Sequence, residues 1–260
     1  MRSRWVHRTH TIDTVPLSVY WSLGPKPGDE KEIDRPSWRD IPLDGIRRAD
    51  EFVRVMERWF ASDKHATARA RLHECCAHGN QFNIDRLVAA ANLFDLTDPM
   101  PPAELPDTLV TASSECLRIL RNLPQSEDRD SAIQAISRIG TPTLMKKVLS
   151  RAKVLPHCFQ LEGLDKVLRQ AVLCRNYFVH GPGDTRFDYR AVEPHTTFLT
   201  ETLEFVFAAA ELIECGWNAP NWRLRPHTGH HWFARFVSEY KLASEELLSD
   251  LQRGKKSKKP

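Results

Sequence analysis

The 260-residue sequence predicts an all-α fold: a helical bundle preceded by a short extended N-terminal arm. Apolar residues recur at helical spacing in segment after segment from Leu43 onward. Neither an internal repeat nor an alternating βαβ pattern interrupts them, which leaves helix-on-helix packing. Hydrophobic residues make up 41% and charged residues 27%, the composition of a globular chain with a core.

Residues 1–45 differ from the rest, with prolines at 16, 25, 27, 36 and 42. Val15–Trp21 reads as one short strand, and Gly24–Asp29 as a turn cluster. This segment is expected to be an extended, partly β arm.

Residues 46–250 read as the helical domain. Asp44 is a candidate N-cap, followed by Ile46, Phe52, Val53, Met56, Trp59 and Phe60 at helical spacing. Lys64–Ala77 and Phe82–Phe94 are the next two helices, and the proline-rich Met100–Pro106 is a loop. Helices follow at about 108–122, 127–139 and 142–154; Gly140 stops one, and Thr141-Pro142 starts the next as cap and first turn. A long helix covers Leu161–His180 and ends on Gly181-Pro182-Gly183. The last two are expected near 196–215 and 230–252, before a basic disordered tail at 251–260.

Charge and cysteine usage narrow the function classes. Thirty-seven basic against 34 acidic residues leave a formal charge of +3, so any nucleic-acid surface must be a local patch. Six scattered cysteines without a secretory leader suit reduced thiols in a cytoplasmic protein. The longest apolar run, Phe198–Ile213, is interrupted by Glu201, Glu204 and Glu211, so no membrane partner is expected.

The chemistry-bearing segment is Cys174-Arg175-Asn176-Tyr177-Phe178-Val179-His180-Gly181. Asn176 and His180 are four residues apart and share a helix face, and Arg175 flanks it. His180 falls in the last turn, where the helix dipole favours a positive charge. This trio suits RNA hydrolysis without a metal or other cofactor. A 2′-hydroxyl attacks the adjacent phosphorus, and an imidazole can take or return the proton. A guanidinium offers a planar fork to phosphate oxygens. Asn176 can orient the imidazole or donate to phosphate. On spacing alone, the same residues also suit a plain helix end whose polar groups cap local carbonyls.

The segment resembles the HEPN superfamily pattern, in which Arg is followed by four to six residues and then His, often with a polar residue directly after the Arg. Arg175, Asn176 and His180 match it position by position. Phe82–Phe94, Ser131–Val154 with Gly140-Thr141-Pro142-Thr143-Leu144, and Arg175–Gly181 are similar to the Apea-like HEPN subfamily, as is Trp59-Phe60 upstream. The likeness spans about 46–216, with a HEPN core at about 80–216. It implies a helical homodimer that brings two Arg-x4-His segments into one cleft. It also implies an RNA-cleaving toxin or anti-phage abortive-infection effector, gated by an antitoxin or a phage trigger. Apea-like proteins typically carry a larger β-rich N-terminal domain, whereas about 45 residues precede the helices here, which reads as a short form or a fragment. The alternative function is a non-catalytic helical dimer that binds RNA or protein.

Other groups are weaker signals. Lys146, Lys147, Arg151, Lys153 and Arg169, followed by Arg186 and Arg190, suit an RNA track, though each alone reads as a solvated face. Lys147, Arg151 and Arg186 are the candidate phosphate contacts, and Tyr177 the candidate base-stacking ring. His227-x2-His230-His231 and His73-x2-Cys76-x-His78 invite a metal reading but lack paired Cys-x2-Cys spacing, so surface histidines and buried thiols are expected. Gly181-Pro182-Gly183-Asp184 lacks the pattern of a nucleotide phosphate loop.

Overall fold

The computed structural model describes residues 5–12, 15–22, 39–77, 81–97, 101, 104–181 and 187–257. The chain divides into two compact units, Met1–Pro36 and Ser37–Pro260.

In the first unit, β1 (Trp5–Ile12) pairs antiparallel with β2 (Val15–Ser22), in a register that sets Trp5 opposite Ser22 and Ile12 opposite Val15. One strand was expected where two exist. Basic residues and histidines interrupt the apolar alternation of Trp5–Ile12, yet its Val, Thr and Ile are β-formers, and two residues are enough to close a hairpin.

The second unit is helical. Its elements are α1 (Ala49–Ala61), α2 (Ala66–Ala77), α3 (Ile84–Asn92), α4 (Asp107–Arg121), α5 (Glu127–Ser137) and α6 (Leu144–Ala152). They continue with α7 (Leu164–His180), α8 (Tyr189–Val192), α9 (Thr196–Glu214), α10 (Ala219–Arg223) and α11 (Trp232–Ser257). The short α8 and α10 carry too few residues to show a period in sequence. None of the described helices is long and apolar enough to cross a membrane.

The core forms where α3, α6, α7 and α11 pack on α9. From Phe198 to Glu211, α9 is buried on nearly every side. Phe205 stacks on Phe236 at 4.4 Å and meets Phe159 edge-on at 5.3 Å. Each such ring, fully buried, contributes about 1.5–3 kcal/mol by leaving water. The glutamates that break the apolar run are accommodated by pairing. Arg86 of α3 grips buried Glu204 through Nε and Nη2, at 2.8 and 2.9 Å. Glu211 accepts from Arg69 Nε at 2.8 Å, meets His65 Nδ1 at 2.7 Å and is also held by Arg151.

Several boundaries move for local reasons. Asp44 Oδ1 accepts from the Ile46 and Arg47 amides, so it caps a separate turn, and α1 begins after it. The expected apolar set is only partly inward: Ile46, before the helix, is 90% and Phe60 73% exposed, Phe52, Met56 and Trp59 are half-buried with Trp59 against the core, and the residues fully buried on α1 are Val55 and Glu51. Thr143, not Thr141, caps α6, since its hydroxyl sits three residues before the Lys146 amide. Helix α11 runs to Ser257 rather than ending near 252, because no proline intervenes and lysine is a good helix former. Helices α4 and α5 bury no residue and pack chiefly on each other.

Candidate active site at the end of helix α7

Helix α7 turns two different faces outward from one axis. Leu168, Ala171, Val172 and Cys174 are buried against the core. Arg175 lies seven residues after Leu168, so it continues that core-facing row at its rim and reaches toward α3. Asn176 and His180 lie four apart on the neighbouring face, where His180 is exposed. Gly181, at φ 80°, then turns the chain away in a conformation that suits glycine.

The Arg175 guanidinium is held from three sides. Its Nε and Nη2 donate to Asn92 Oδ1 at 3.2 and 2.9 Å. Its Nη1 donates to Asn176 Oδ1 at 3.2 Å and faces His180 Nε2 at 3.2 Å. A guanidinium has only donors, so this contact is a hydrogen bond in the tautomer that leaves Nε2 free to accept. The structure thus brings Arg175, Asn176 and His180 together at one open helix end, with His180 outside the bundle and Arg175 turned toward it. A phosphate entering between guanidinium and imidazole would find charge-assisted donors on one side and a proton carrier on the other.

Asn92 has no counterpart in the sequence reading. It closes α3, 83 residues from Arg175, and only α3–α7 packing brings the two together. Its one sequence signal is negative: a half-buried polar residue that ends an otherwise apolar row.

Tyr177 is half-buried and lies nearly parallel to Tyr189 at 5.1 Å, with Phe178 edge-on at 5.2 Å and Phe187 tilted at 5.8 Å. One of its faces is therefore taken by a neighbour within the chain. Tyr177, Phe187 and Tyr189 border a cleft of about 700 Å³ that also meets Arg190 and Asp250. Cys174 is a buried small apolar side chain beneath the site, and burial pushes its thiol up to about 11.

The other candidate contacts are scattered. Lys147 pairs with Asp95 at 2.9 Å, and Arg151 is clamped by Glu211 and Glu214, only 12% exposed. Both tie α6 to its neighbours, because their helix row faces the carboxylates of α9 and of the turn after α3. Their charges are spent on those partners. Arg186 lies outside the described residues.

Three polar clusters bear on metal chemistry. His65, Glu211 and Glu214 gather ligand-type atoms within 4.8 Å. Both Glu211 oxygens already face guanidinium groups, whose positive charge opposes a cation there. The His227–His231 segment is not a surface loop of free imidazoles. It wraps Asp40, whose carboxylate accepts from the amides of Thr228, His230 and His231 at 2.7, 2.9 and 3.3 Å. Burial pushes that carboxyl up, but these hydrogen bonds, with the Thr228 hydroxyl, outweigh it and hold it below its usual range. His231 Nδ1 accepts from the Phe233 amide at the start of α11, and burial lowers the ring to about 4. In the other motif, Cys75 is buried, Cys76 is exposed and His78 lies outside the described residues.

No curated protein and no solved structure matches the chain. The Apea-like HEPN family matches residues 77–220, from the end of α2 to the start of α10 and including the whole Arg175–His180 segment. With that match over more than half its length and an all-helical second unit, the chain belongs to the Apea-like HEPN family.

Proposed function

We propose that the protein is a metal-independent endoribonuclease, a toxin or anti-phage abortive-infection effector that becomes complete as a homodimer. The observation that carries this reading is the 3.2 Å approach of Arg175 Nη1 to His180 Nε2, with Asn92 and Asn176 holding the guanidinium in place. The 2′-hydroxyl of RNA attacks its own 3′-phosphorus, the P–O5′ bond breaks, and a 2′,3′-cyclic phosphate remains. The Arg175 fork stabilises the charge that grows on the phosphate oxygens. His180 accepts the 2′ proton or protonates the leaving 5′-oxygen. One imidazole serves only one of these roles in a given step, so a second copy of the same helix end supplies the other. An antitoxin or a phage signal would gate such an activity in the cytoplasm.

The test is incubation of the full chain with total RNA in EDTA, beside the Arg175→Ala/His180→Ala double variant. Cleavage by the parent alone supports the reading. Equal cleavage by both, or none by either, removes it. In the second case the lone apolar helix faces on α1 and α4 favour the alternative, a helical dimer acting as a binding module.

A further inference from the structure

Helix α6 carries its cations in two rows that meet opposite fates. Lys147 and Arg151, four apart, turn to carboxylates and are neutralised. Lys146 and Lys153, seven apart, share the other face with Leu149 and Ser150. That face and the first turns of α7 enclose a cleft of about 610 Å³. Leu149, Ala152 and Leu164 form its apolar floor, and Lys146, Lys153 and Arg169 its cationic rim. All three cations are exposed, and none is ion-paired among the described residues. A single carboxylate, Asp165, lines the same cleft, so the balance there is positive.

The cleft is in line with the active site. Arg169 precedes Asn176 by seven residues and His180 by eleven. At 100° per residue, Asn176 and His180 fall about 20° to either side of Arg169 around α7, at rises of about 10 and 16 Å from it. Between Arg169 and Asn176, the same stripe passes over half-buried Leu173. An anionic strand that leaves the Arg175–His180 end along this face therefore arrives at the cleft.

We propose that the α6–α7 cleft is a subsite for single-stranded RNA flanking the scissile phosphate. Lys146, Lys153 and Arg169 hold backbone phosphates, and the floor of Leu149, Ala152 and Leu164 receives a base. Phosphate contacts position a strand without reading its sequence, so the subsite confers preference for length over base identity. The proposal rests on the ribonuclease reading only for the direction of the strand.

The experiment measures binding of labelled single-stranded RNA by anisotropy across a salt series. Every chain is full length and carries His180→Ala to prevent turnover. Adding Lys146→Gln/Lys153→Gln/Arg169→Gln is expected to weaken a long oligonucleotide by tenfold or more and to lower the log–log salt slope by about 2, as loss of three single-strand phosphate contacts requires. Lys147→Gln is expected to leave both values unchanged. In a cleavage-competent background the triple variant should raise KM for long RNA yet leave cleavage of a dinucleotide unaltered. An unchanged affinity and slope overturn the subsite, whatever the chain cleaves. If RNA binds with the expected slope change but is never cut, the subsite stands and the ribonuclease reading falls. If the parent binds no RNA, both fall.

Discussion

A single carboxamide oxygen, Oδ1 of Asn92, accepts two hydrogen bonds from the Arg175 guanidinium and so fixes the plane of its fork. On the proposed ribonuclease reading, Asn92 is a positioning residue that acts through the guanidinium. A hydrogen bond to a charged group is worth about 1.5–3 kcal/mol, so Asn92→Ala should lower cleavage roughly 10–100-fold. Asn92→Asp keeps the acceptor and should recover most of that loss. If Ala and Asp variants fall equally, orientation of Arg175 is not what Asn92 provides.

The two motif ends should separate stability from activity. His180 is exposed, so His180→Ala should leave thermal unfolding unchanged while lowering turnover about 10²–10⁴-fold. Arg175→Ala should lower turnover and also cost about 1–3 kcal/mol, because half-buried Asn92 loses its donor. Urea unfolding beside RNA cleavage checks both. A collapse of the His180 variant would make that ring a structural cap.

The Arg86–Glu204 pair supports the site from behind, since α3 carries both Arg86 and Asn92. Arg86→Ala leaves a carboxylate buried without its partner and should cost about 3–5 kcal/mol. Replacing both by Arg86→Met/Glu204→Leu should restore most of the loss, for the desolvation cost vanishes with the charges. Urea midpoints for the three chains decide it; a loss under about 1 kcal/mol in the single variant would show the pair to be solvated.

Acid should loosen the fold through His231. Burial, which outweighs the opposing charge of Asp40, holds its folded-state value at about 4, against about 6.5 for an unperturbed imidazole. Between those values the unfolded chain binds more protons, so stability rises with pH across roughly pH 4–6.5, by up to about 3 kcal/mol. Asp40, held below its usual range, adds a further loss at lower pH. Unfolding midpoints from pH 7 to pH 4 should fall for the parent and fall less for His231→Gln. Parallel slopes would remove His231 as the cause.

The helical class and the Arg175, Asn176 and His180 constellation were legible because both depend on near neighbours: spacing sets a helix face, and a glycine sets its end. What the sequence hid came from partners far along the chain. Lys146 and Lys147 look alike in one dimension, and only the positions of Asp95 and Glu211 separate a neutralised row from a bare one. Asn92 is silent until α3 meets α7. The histidines near 230 suggested ligands because nothing adjacent shows that Asp40, 190 residues away, is already enclosed by that loop.

Helices α4 and α5 lean on each other and give the interior nothing. Such a protrusion is a thermodynamic passenger, and its tip at 122–126 is a natural splice point. A fluorescent protein inserted there would ride on the folded bundle and report whether it self-associates, at little expense to the framework that holds the Arg175–His180 end.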